Sequence, residues 1–157
     1  MTRESIRNIV FYTIILVTQL LIFNHFNLFD IITPSVYLII FILYKISYSN
    51  TSLIFLGFIT GLIIDLAMQT YGCHTFATIT ICYLRERIEK TSFGVNANLP
   101  SAMIKGTKMI NRFTFFMLII FIHSSIYYSL VFFNLELIGK IFYYSLLNSI
   151  VTFIIVW

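Results

Sequence analysis

"GFITGLIIDLAMQTYGCHTF" (residues 57–76) is an apolar run with two spaced glycines, and it also carries a carboxylate, Asp65. A charge in hydrocarbon costs roughly 2.5–3.5 kcal/mol on insertion scales, so it normally has a partner or a purpose. Which of these applies depends on the solvent of the chain. Of 157 residues, 59% are hydrophobic and only 10% are charged, with a mean hydropathy of +0.94; soluble domains carry about 25% charge. A soluble domain of this length has too much surface to hide so many apolar side chains. The bilayer is therefore the solvent.

A hydrocarbon core about 30 Å thick requires about 20 mostly apolar residues in a helix. Three runs meet that length: Ile9 to Phe26, Phe113 to Phe133 and Ile138 to Trp157. Three shorter ones, Pro34 to Ile46, Ser52 to Met68 and Cys73 to Leu84, either cross as well, re-enter, or lie buried between their neighbours. Pro34 suits a helix start, where its missing N–H would be unpaired anyway. The long runs show no amphipathic stripe of the kind a surface helix carries, which excludes a soluble helical core. The expectation is an all-α integral membrane protein with six transmembrane helices, forming one polytopic domain over residues 1–157.

Lys and Arg set the orientation. With a cytoplasmic N-terminus and six crossings, the inside receives Arg3, Arg7, Lys45, Arg85, Arg87, Lys90, Lys105, Lys108 and Arg112, and the outside only Lys140. Five crossings would split this partition. Both termini are then cytoplasmic. "MTRESIRN" resembles a signal n-region, but the apolar run after it is too long and no small-x-small cleavage site follows, so it reads as a retained first helix. Cys73 and Cys82 fall on opposite faces of one helix, which suits neither a disulfide nor a metal pair.

The long connection from Arg85 to Arg112 holds Arg85, Arg87, Lys90, Lys105, Lys108 and Arg112. It reads either as a cytoplasmic basic loop that docks a partner or anionic lipid, or as a plain topological anchor. Enzyme motifs are missing: there is no glycine-rich phosphate loop, no His-Glu-x-x-His and no Gly-x-Ser-x-Gly. His25, His74 and His123 lie on different segments without a repeated ligand spacing. No catalytic residue, cofactor, metal or nucleic-acid partner is expected. A hydrogen bond between helices is the expected use of His123.

Gly57, Gly61 and Asp65 are spaced by four, so they share one helix face, drifting about 40° per step. Glycines so placed let another backbone approach closely. Asp65 then has three readings. It reaches water near the surface, it accepts hydrogen bonds from the N–H groups that open the next helix near Gly72 to His74, or it contacts a partner or substrate. Gln19, Asn24 and Asn148 are scattered among the apolar runs without an obvious cluster.

The arrangement resembles the MreD family of rod shape-determining membrane proteins. The residues carrying the resemblance are "PSVYLIIFILY" (34–44), "GFITGLIIDLAMQTYGCHTF" with its following Gly72-x-His74, "YLR" (83–85), and "GTKMINRFTFFMLIIFIHSSIYYSLVFFNLE" (106–136). It implies a six-helix fold similar to the substrate-binding subunits of energy-coupling-factor transporters, in the bacterial inner membrane. It also implies a non-enzymatic role in cell-wall elongation. The partners implied are a MreC-type periplasmic scaffold and, through that complex, an MreB-type filament, RodA and a penicillin-binding transpeptidase. Monomer and homodimer stay open. By this analogy Gly57, Gly61, Asp65 and Gly72 are the candidate helix-packing or partner face. The alternative is the substrate-binding subunit of a vitamin-type transporter, which requires convergent polar groups in an outward-facing cavity.

Overall fold

The computed structural model describes residues 3–26, 32–44, 49–94 and 107–157. Its helices are α1 (Arg3–Leu21), α2 (Ile39–Ile42), α3 (Asn50–Met68), α4 (Cys73–Phe93), α5 (Met109–Phe132) and α6 (Ile138–Val156). The chain from α3 to α6 folds as successive antiparallel neighbours: α3 packs on α4, α4 on α5 and α5 on α6. α1 lies along the outside, with Ile9, Val10, Ile14, Val17 and Leu21 exposed. Such faces suit lipid.

Among the described residues, four helical stretches are long and apolar enough to cross a membrane: Ile6–His25, Asn50–Met68, Met109–Phe132 and Ile138–Val156. Two of the six expected crossings depart from this pattern. Among the described residues of the run from Pro34 to Ile46, regular structure is confined to a 3₁₀ turn, Val36–Leu38, and the four-residue α2. Together these rise about 12 Å, less than half the hydrocarbon thickness. Pro34 precedes the helical turn instead of opening it. Tyr37, Leu38, Ile40, Phe41 and Ile42 are almost wholly buried, so protein and not lipid surrounds this irregular backbone.

The other departure is α4. It does not stop at Leu84 but runs unbroken to Phe93, about 31 Å in all. It has the length of a spanning helix, and its second half carries the charges Arg85, Glu86, Arg87, Glu89 and Lys90. The basic connection therefore starts after Gly94, where a left-handed φ of 91° closes the helix. Glu86 and Lys90 pair at 2.6 Å across one exposed turn, a spacing that supports helix.

Candidate functional site

The α3–α4 hairpin turns through Gln69, Tyr71 and Gly72, all at positive φ. Gln69 caps α3, its N–H donating to the Asp65 carbonyl. Gly72 occupies the N-cap of α4 at φ 93°, where a Cβ would meet nothing within 4 Å. Glycine is needed there for the backbone angle and not for space. It also leaves the N-cap of α4 without a side chain.

Asp65 supplies the missing cap from the neighbouring helix. Its Oδ1 accepts from the His74 N–H at 2.9 Å and the Thr70 hydroxyl at 2.5 Å. Its Oδ2 accepts from the Thr75 N–H at 2.8 Å and the Thr75 hydroxyl at 2.5 Å. Both oxygens are thus engaged, and the carboxylate is only 5% exposed. A carboxylate at a helix N-terminus also meets the positive end of the helix dipole. Of the three readings of Asp65, this geometry corresponds to the one in which it holds the start of the next helix.

The glycines lie on the same seam. A Cβ on Gly57 would sit 2.7 Å from Cys82 Sγ, and one on Gly61 would sit 2.5 Å from Thr75 Cα and 2.9 Å from its amide nitrogen. At Gly61 the obstacle is the backbone of α4, which has no rotamer to change. At Gly57 it is the end of a side chain.

His74 links this seam to the short buried segment. The Tyr37 hydroxyl lies 3.1 Å from His74 Nδ1 and 2.7 Å from His123 Nε2. A phenol has one proton to give, so one histidine accepts it and the other donates to the oxygen. Tyr127, one turn beyond His123, does not bond it; its ring stacks on His74 with centroids 4.3 Å apart. The Tyr37 N–H donates to Gln19 Oε1 at 3.2 Å, and Gln19 Nε2 donates to the Pro34 carbonyl at 3.0 Å and to Asn24 Oδ1 at 2.9 Å. The Ser35 N–H donates to Thr152 Oγ1 on α6 at 3.1 Å. Gln19 and Asn24 are thus part of one network, which their sequence spacing did not indicate. Asn148 ties α6 to α5 by donating to Ser124 Oγ at 3.1 Å.

The opposite end of the segment is held by Arg85. Its Nε donates to the Phe41 carbonyl at 2.9 Å, and a terminal nitrogen donates to the Tyr44 carbonyl at 2.7 Å. The other terminal nitrogen pairs with Glu89 at 2.7 Å, both side chains being buried. Helix ends leave carbonyls without partners, and this guanidinium serves those at the end of α2. Arg85 is thus not a loop cation. Arg87 and Lys90 also lie on α4, Lys108 is the N-cap of α5 and Arg112 lies in its first turn. Lys105 lies outside the described residues. The five described basic residues therefore lie on α4 or at the start of α5.

Among the described residues no group of three or more His, Cys, Asp or Glu side chains could hold a metal ion. Both cysteines are free, with Cys82 buried. What the arrangement does chemically is fasten backbone and join segments: Gln19, Asp65 and Arg85 bind main-chain groups, Tyr37 bridges His74 and His123, and Asn148 ties α6 to α5.

A family model described as "rod shape-determining protein MreD" matches residues 4–157. No curated protein and no solved structure matches the chain.

Proposed function

The chain belongs to the MreD family of rod shape-determining proteins, multi-pass proteins of the inner membrane, and on that premise we propose that it is a non-enzymatic scaffold of cell-wall elongation. In this reading it joins a MreC-type periplasmic scaffold and, through it, an MreB-type filament, RodA and a penicillin-binding transpeptidase. The observation that carries the reading is the state of Asp65, the acid of the long apolar helix α3. Both its oxygens are engaged by the start of α4, so it is not left open to a cargo. The Gly57/Gly61/Asp65 face, with the turn at Gly72, then packs α3 on α4, and the hairpin so fixed offers its exposed side to partners.

We further infer a single domain with six crossings, both termini cytoplasmic, in a fold like that of the energy-coupling-factor substrate-binding subunits. The Lys and Arg partition supports six crossings, because only that topology keeps all of these residues but Lys140 on one side. The test is affinity purification from native membranes in mild detergent, with mass spectrometry of what accompanies the protein. A single-span periplasmic scaffold with wall synthases is the expected company. ATP-binding-cassette subunits or a bound vitamin-like molecule would replace the scaffold reading with a transporter.

A further inference from the structure

Two cavities run end to end along the seam between α1 and α3. The larger, about 430 Å³, has Asn8, Tyr12 and Ser52 in its wall. The smaller, about 190 Å³, continues past Leu16 to Ile63, and Ile9, Leu56 and Ile59 line both. From Ser52 to Ile63, α3 rises about 16 Å. One leaflet of hydrocarbon is about 15 Å thick, half of the core.

Polarity is uneven along this groove. Asn8 and Ser52 line its wall near the N-terminal ends of α1 and α3, and Arg7 is exposed beside Asn8. Further in, Thr13 turns its hydroxyl back onto the Ile9 carbonyl of its own helix at 2.9 Å, which leaves an apolar wall. Size selects the occupant. An α-helix over the same 16 Å is a cylinder of about 1,200 Å³, about twice the two cavities together, whereas a polymethylene chain is slim enough.

We propose that this groove holds one acyl chain of an anionic phospholipid from the leaflet at the N-terminal end of α1, with the lipid phosphate at Arg7 and Asn8. The apolar wall takes the chain, and the positive charge at one end selects the headgroup. The inference is independent of the scaffold reading.

The full chain is placed in nanodiscs of equal parts phosphatidylglycerol and phosphatidylethanolamine, released into mild detergent, and weighed by native mass spectrometry. One lipid is expected to stay bound, with phosphatidylglycerol favoured about fivefold, the weight of one basic residue at an anionic surface. Leu56→Trp fills the groove and is expected to lose the lipid; Ile59→Trp is the second filling variant should the first not fold. Arg7→Gln, on an exposed position, is expected to keep a lipid and lose the preference. Retention of no lipid by the wild type, undiminished retention by a folded filling variant, or an unchanged preference in Arg7→Gln would each overturn the proposal.

Discussion

The α3–α4 seam and the buried segment 32–44 meet at His74, yet they are held by different means. The seam is local. Two helices adjacent in sequence pack through glycines on one face, and a carboxylate caps the second helix nine and ten residues after its own position. The segment is held from afar, by Gln19, Thr152, His74, His123 and Arg85, the most distant of these 117 positions away. A seam built on backbone proximity is sensitive to volume. A segment built on long-range hydrogen bonds is sensitive to the loss of a single polar group.

That contrast orders the expected effects of substitution. Arg85→Leu strands Glu89 and two carbonyls in the interior and is expected to destabilise by about 3–5 kcal/mol, as for other broken buried pairs. Arg85→Leu with Glu89→Leu removes the stranded acid, and its thermal unfolding in detergent should recover part of that loss. If the single variant melts like the wild type, the segment is not held by Arg85. Gly61→Val forces a side chain into the α4 backbone and is expected to cost about 1–3 kcal/mol. Gly57→Val should cost less, because its first obstacle is the end of the Cys82 side chain and not backbone; the reverse order would show that the seam closes elsewhere.

Two milder changes sharpen the comparison. Asp65→Asn places an amide N–H₂ against donors at the α4 N-terminus, with an expected cost of about 1–3 kcal/mol and normal membrane insertion by fractionation. Tyr37→Phe leaves His74 and His123 without their shared hydroxyl and is expected to lower stability by about 1 kcal/mol. Combining it with Asp65→Asn measures whether seam and segment are coupled through His74. A coupling energy near zero would make them independent units.

The seam was legible because its cause lies in spacing. Gly57, Gly61 and Asp65 at intervals of four announce a shared face, and Gly72 announces a turn before a new helix. The segment was not. "PSVYLIIFILY" reads as a short span because its side chains are apolar, and nothing in it reveals that Arg85 will serve its free carbonyls. Arg85 itself sits in "RERIEK", a string that looks like solvated loop. Helical pairing of Glu86 with Lys90 keeps α4 going, and that continuation carries Arg85 into the core. Gln19 appeared isolated for the same reason: its partners, Pro34 and Tyr37, lie beyond any helical repeat.

The most direct test of the claim that the buried polar residues serve the fold and not a cargo is cell shape in a rod-shaped bacterium lacking its own MreD-family protein. Wild type and Asp65→Asn are expressed there over a range of levels, and cell width is plotted against the amount of folded protein in the membrane. Both are expected to fall on one curve, because Asp65 acts only through the stability of the α3–α4 seam. Round cells at a normal level of folded Asp65→Asn protein would contradict it and give Asp65 a direct contact of its own.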